Sequence, residues 1–331
     1  MNSTLTAKST WIAVHLHYSE PWEKFLVEAL KPYVTTVTQT GIVEQYNFLR
    51  YWDRGPHIRL RFKGSADVLQ QLLLPNLEKH FNNYFDSHPS HLVTPNYPSS
   101  FPTRLRWLPN NSIQYATYQM PVHRLGGPAL AKVAEQQFKA SSDIILHLLS
   151  KRYPMWDSDE AILAAAKLHL SMFSALNMEK SAIYEFVTQY FQNWLFNTPR
   201  FTTRNHRQTQ FESGYRDQLL REFRRDYRKH RFFLRPRIQT FLLALQQRDH
   251  ELIDEPLHEW VDFNQAVNCI LRTHYEGNFS YQKTPIAFNN LYSTFIHQTN
   301  NRLGIHDVNE GYLMYMLMRI IEQGEEWRKF G

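Results

Sequence analysis

The chain opens in two-residue alternation of apolar and polar positions and passes, near Gly126, into helical three-to-four-residue spacing. Residues 11–18 alternate, with Ile12, Val14 and Leu16 on one side and His15 and His17 on the other. Residues 20–34 carry helical spacing and 42–52 read as a strand. The turn Asp53-Arg54-Gly55-Pro56 leads into a second alternating run at 57–63. Residues 66–84 are helical, 87–111 are rich in Pro and Ser, and 112–119 form a last strand. The order βαββαβ predicts a ferredoxin-like antiparallel sheet with helices on one face and the other face open.

From Gly126 the spacing predicts helices over 128–151, 157–175, 179–195, 207–232, 236–248, 257–273, 286–302 and 308–323. Gly127-Pro128 suits the start of the first, with Pro at the first helical position, and its unpaired N–H groups favour a nearby anion. The expected class is therefore α+β. A sheet region spans 1–125, with an inserted loop at about 86–111, and a mainly helical lobe spans 126–331. The two are expected to form one compact unit with the active cleft between them.

Two patterns carry candidate chemistry. In 57–63, Ile58, Leu60 and Phe62 point to one side, and His57, Arg59, Arg61 and Lys63 to the other. That cationic side is either a solvated strand face or a grip for an anion. In 286–302, stepping 100° per residue from Phe288 gathers Leu291, Tyr292, Phe295, Thr299 and Leu303 into an apolar stripe and sets His297 opposite. Ser293 and Asn301 flank His297 one turn away on either side, so it belongs to a polar face, surface or functional.

Composition narrows the class. The 331 residues are 43% hydrophobic and 21% charged, which excludes a disordered chain, and no apolar run approaches the 18 or so residues that read as a membrane span. The N-terminal residues lack an export-signal pattern, so the expected location is cytoplasmic. The single cysteine, Cys269, can form no internal disulfide. No zinc-ligand spacing occurs, and His88 and His91 sit in the Pro/Ser-rich loop. Residues 200–237 hold twelve Lys/Arg against four Asp/Glu, although the whole chain carries only +6. Such a block either draws an anionic partner, nucleic acid or acidic peptide, or is a solvated helix face.

Three segments resemble the signatures of one family. These are Leu49-Arg50-Tyr51-Trp52-Asp53-Arg54-Gly55-Pro56-His57-Ile58-Arg59-Leu60-Arg61-Phe62, then 118–127, then His297-Gln298-Thr299-Asn300-Asn301-Arg302-Leu303-Gly304. Their order and spacing are similar to the lantibiotic dehydratase elimination domain, also called the thiopeptide-type bacteriocin biosynthesis domain. The resemblance implies a lyase that removes glutamate from glutamylated Ser or Thr of a ribosomally made precursor peptide, leaving dehydroalanine or dehydrobutyrine. It implies His297, Arg59, Arg61 and Arg124 as catalytic residues, and His57, Tyr118, Asn301 and Arg302 as substrate-binding ones. No cofactor or metal is implied. The expected partners are the precursor peptide and a separate tRNA-dependent glutamylating dehydratase, and a homodimer is compatible with this reading.

The match has departures. Relatives carry acidic residues in the second block, where this chain has Tyr118-Gln119-Met120-Pro121-Val122-His123-Arg124-Leu125-Gly126-Gly127, and Thr299 stands where many relatives have a second histidine. Some relatives are pyridine synthases that join two dehydroalanines in a formal cycloaddition, which is the alternative reading. An RNA-binding module or a non-catalytic peptide-docking subunit is the alternative of another class; the 57–63 strand lacks the stacking aromatics of an RNA-recognition sheet.

Overall fold

The computed structural model describes residues 9–197, 211–247, 253, 255–274 and 286–323. Residues 1–8 and the 200–210 end of the basic segment lie outside them. The fold is α+β, with one small antiparallel sheet in the N-terminal part and helices throughout the rest. The chain divides into two compact units, Met1–Trp156 and Asp157–Gly331.

The first unit runs β1 (Ser9–His17), α1 (23–39), β2 (Gln45–Tyr51), β3 (His57–Ser65), α2 (66–87), β4 (Ser112–Ala116) and α3 (Pro128–Arg152). The strands lie in the order β2-β3-β1-β4, every pair antiparallel. Both α1 and α2 contain a widened π turn, at Leu26–Leu30 and Leu69–Leu73. Each stands just ahead of a proline, Pro32 and Pro75, whose missing N–H leaves a carbonyl in the preceding turn without its helical donor.

Alternation sorts the sheet as expected. Ile58, Leu60 and Phe62 share a face with Val14, Leu16 and Phe48, all fully buried against the helices. Tyr33 of α1 packs edge-on to Phe62 at 6.2 Å and tilted on Phe81 of α2 at 5.2 Å. Each such side chain contributes roughly 1.5 to 3 kcal/mol by leaving water. The helix α3 runs beside the edge strand β2, where the Ser142 hydroxyl accepts from the Phe48 N–H at 3.3 Å and Tyr46 donates to Asp143 at 2.6 Å. On the opposite sheet face, Glu135 of α3 accepts from Trp11 and Lys63, so the face expected to stand open is closed at that end.

The 88–111 segment is a loop with one short turn of 3-10 helix, Thr103–Leu105. It is tied down at both ends. Ser90 joins Asn110, Asn111 and the Ser19 N–H, and Leu108 N–H bonds the Arg54 carbonyl. The Trp107 ring lies over Gly55 so closely that a Cβ there would meet it at 3.3 Å, and Gly55 adopts φ +102. The loop therefore fixes the turn from which β3 departs.

The second unit comprises α4 (Ser158–Ala175), α5 (Lys180–Asn197), α6 (Phe211–Gln247), α7 (Glu255–His274), α8 (Ile286–Leu303) and α9 (Val308–Gln323). Asp157 caps α4 by accepting from the N–H groups of Asp159 and Glu160. As the central helix, α4 contacts α6, α7, α8 and α9, and most of its residues are buried. Over the described residues, Phe211–Gln247, the helices expected at 207–232 and 236–248 form one continuous helix, α6, with Pro236 inside it, while 207–210 and 248 lie outside the described residues. An internal proline costs about 3 kcal/mol, but buried Leu234, Ile238, Phe241 and Leu242 anchor the chain on both sides of it.

Candidate active site

In the first unit the β3 cations meet an aromatic and histidine frame. Register places His57, Arg59 and Arg61 opposite His17, His15 and Ala13 of β1, and opposite Tyr51, Leu49 and Asn47 of β2. The Arg59 guanidinium lies 3.3 Å from the centre of the Tyr51 ring, and Arg61 lies 4.2 Å from that of Tyr118. Arg59 Nε donates to His57 Nε2 at 3.2 Å, and His57 Nδ1–H donates to the Gly55 carbonyl at 2.8 Å. His57 is thus held neutral with its proton on Nδ1. Burial pushes His57 and His17 down to about 4, and His15 to about 3. With the three imidazoles uncharged and in ring contact, Arg59, Arg61 and Lys63 are the cations of this face, and Lys63 is already paired with Glu135.

Arg59 has a loose ion pair with exposed Asp53 at 3.7 Å. Arg61 is half-buried, and among the described residues no carboxylate forms an ion pair with it. Burial lowers its pKa, yet a guanidinium stays protonated, so Arg61 is a partly desolvated cation stacked on a phenol ring. Such a group can hold a carboxylate through charge-assisted hydrogen bonds worth about 1.5 to 3 kcal/mol each. Arg124 sits exposed in the turn before α3, its N–H bonded to the Pro121 carbonyl. Gly126 and Gly127, at φ +87 and +110, complete that turn, and Pro128 starts the helix as expected.

In the second unit, Leu291, Tyr292, Phe295, Thr299 and Leu303 are all buried, and the His297 side chain is 58% exposed. Asn301 on the same helix is half-buried and Arg302 fully buried. The sequence reading missed what lies beneath His297. Its Nδ1 stands 3.1 and 3.2 Å from the two carboxylate oxygens of Glu310, which is 5% exposed. Tyr190 donates to Glu310 at 2.7 Å and Asn300 at 3.1 Å, and the Asn300 carbonyl lies 2.8 Å from Nε2 of buried His169. The hydrogen bond to Glu310 raises the His297 pKa above its ordinary value, while His297, Tyr190 and Asn300 together hold Glu310 below the usual carboxylate range. The signal for Glu310 was available: it is the one acid in the largely apolar run 308–321.

The basic segment, where described, lies on α6. Arg224, Arg228 and Arg231 line a groove of about 530 Å³ with Arg319 of α9, over the buried rings of Phe191, Tyr227 and Tyr315. Among the described residues there is no metal-binding cluster of His, Cys, Asp and Glu, and no helix long and apolar enough to cross a membrane.

Sequence profile and fold together relate the chain to proteins of lantibiotic and thiopeptide biosynthesis. The chain belongs to the lantibiotic biosynthesis dehydratase C-terminal family, whose profile matches residues 11–321. It is 25% identical over 143 residues to the subtilin biosynthesis protein SpaB of Bacillus subtilis, matching 41% of this chain and only 11% of that protein's length. Among solved structures it resembles TbtD, the pyridine synthase from thiomuracin biosynthesis, at a TM-score of 0.70 and 15% identity, covering 94% of this chain and 97% of that one. It also resembles the tRNA-dependent lantibiotic dehydratase MibB from Microbispora sp. 107891, at 0.59 and 18% identity, covering 99% of this chain and 29% of MibB. TsrL is a third, at 0.64 and 16% identity, covering 96% and 95%.

Proposed function

We propose that this protein is a carbon–oxygen lyase that eliminates glutamate from glutamylated Ser or Thr of a ribosomally synthesised peptide, giving dehydroalanine or dehydrobutyrine. The observation that carries the reading is Arg61, a partly desolvated guanidinium beside Arg59 with no carboxylate paired to it among the described residues. A glutamyl ester brings a free carboxylate for these arginines. With it held, the Cα proton of the modified residue is removed, the Cβ–O bond breaks, and glutamate leaves as the Cα–Cβ double bond forms. Arg59, Arg61 and Arg124 bind the glutamyl group or the developing enolate, and His297 moves the proton, a contribution of roughly 10² to 10⁴-fold. Tyr118 and Asn301 complete the substrate-binding set, while His57 and Arg302, both buried, act from behind it, His57 by holding the Arg59 guanidinium. A separate tRNA-dependent enzyme supplies the glutamyl ester, and the reaction runs in the cytoplasm without a cofactor. The βαββαβ order and the strand order β2-β3-β1-β4 support a ferredoxin-like reading of the sheet.

The test is direct. Incubated with its glutamylated precursor, the purified protein should release free glutamate and lower the peptide mass by one glutamic acid per site. Intact glutamyl adducts after prolonged incubation would refute elimination. Near-complete mutual coverage with a pyridine synthase, at a TM-score of 0.70, supports a second reading, cycloaddition between two dehydroalanines. A precursor already carrying dehydroalanines distinguishes them, because only the second activity consumes it.

A further inference from the structure

We infer that Glu310 is a positioning residue for His297, fixing the imidazole proton on Nδ1 so that Nε2 is the atom that exchanges a proton with the substrate. The inference rests on the reading of His297 as the proton-transfer group and names the residue through which that group is set up.

The donors and acceptors allow one arrangement. Glu310 is an ionised carboxylate and can only accept. Tyr190 O–H and Asn300 Nδ2–H donate to its Oε1, at 2.7 and 3.1 Å. With its Nδ2 so engaged, Asn300 turns its carbonyl to His169, whose Nε2 must then carry a hydrogen. The nitrogen of His297 that faces both carboxylate oxygens must likewise carry one, and it is Nδ1. The neutral ring therefore holds its lone pair on Nε2.

The support under this ring is built from four helices. Asn300 and His297 come from α8, His169 from α4, Tyr190 from α5 and Glu310 from the first turn of α9, where the helix dipole favours a negative charge. Tyr190 and Trp194 stand one turn apart on α5. The Trp194 ring fills the space a Cβ on Gly311 would need, within 2.3 Å, so α5 clamps the start of α9 immediately beside Glu310. His169, Asn300 and Glu310 are buried, and the network ends in the one ring that is mostly exposed. A carboxylate serving stability alone has no need to end on an exposed partner; one serving a reacting imidazole does. Asp307 adds a weaker negative field on the same ring, which His297 also feels in raising its pKa.

Nitrogen-correlated NMR on ¹⁵N-histidine protein, with His297 assigned through His297→Asn, reads the tautomer without reference to activity. In the wild type the neutral ring should carry its proton on Nδ1, and a neutral ring protonated on Nε2 would overturn the inference without any Glu310 variant. In Glu310→Gln the titration should move downward and the tautomers should mix. Elimination should lose roughly 10²-fold or more in kcat with KM little changed, its acid limb following the NMR titration, and Glu310→Asp should recover part of both. Unchanged tautomer and titration in Glu310→Gln would likewise overturn the inference. A His297→Asn protein that eliminates at the wild-type rate would instead overturn the reaction assignment beneath it, whatever the NMR shows.

Discussion

Lowering the pH from about 7 to about 5 should weaken the second unit through His169. This imidazole is 1% exposed, and burial pushes its pKa down to about 4 from an ordinary 6.5, against the upward pulls of Asn300 and Glu310. Between those values the unfolded chain binds a proton that the folded chain refuses. Its contribution is thus fully present above about pH 6.5 and is lost as the pH falls towards 4. At roughly 1.4 kcal/mol per pH unit, the loss reaches about 2 kcal/mol by pH 5 and about 3 near pH 4. The Asn300 hydrogen bond is not what fails, because Nε2–H donates in either protonation state; the cost is that of burying a charge. His169→Gln keeps a donor and removes the titration. Hydrogen exchange of the α4 amides, measured for both proteins across this pH range, should show wild-type protection falling with acid by one proton more than the variant's. Parallel curves would refute the argument.

Other expected outcomes are sharper in sign than in size. Arg59→Ala, Arg61→Ala and Arg124→Ala should each make glutamylated peptide accumulate in a mass-spectrometric assay while melting temperature stays within a few degrees; a collapsed melting temperature would mark them as structural. Gly55→Ala should destabilise by roughly 1 to 3 kcal/mol in urea unfolding, since φ +102 strains a Cβ and Trp107 confines it. Gly311→Ala should cost about 1 to 3 kcal/mol by driving a methyl into the Trp194 ring, and wild-type stability in that variant would show that the ring has room to move.

Strand alternation and helical spacing exposed much of this arrangement because they report burial directly. The run 57–63 showed which side chains face the core, and the stripe from Leu291 to Leu303 showed which side of α8 carries His297. Partners brought together by tertiary packing left weaker marks. Glu310 stands 13 residues beyond His297, on a helix with few other polar positions, and no periodicity links the two. His169 likewise reads as an isolated polar position in an apolar helix until α8 supplies Asn300. The break expected between 232 and 236 does not occur, because buried residues hold α6 on either side of Pro236, a packing effect that local spacing does not register. Arg50 pointed to the apolar face of β2, where Glu23 of α1 meets it at 2.6 Å, a pairing that alternation alone cannot foresee.

The contact between Ser142 and the Phe48 N–H bears on how this sheet meets other chains. Outer strands expose rows of donors and acceptors on which foreign strands assemble, the route to runaway self-association. Here a serine hydroxyl from α3 occupies one such donor of β2, and the same hydroxyl bonds the Phe138 carbonyl at 2.7 Å, so it is committed in both directions. With Tyr46, two residues before Phe48, bonded to Asp143, next to Ser142, this flank is latched by its own helix and withdrawn as a template for added strands.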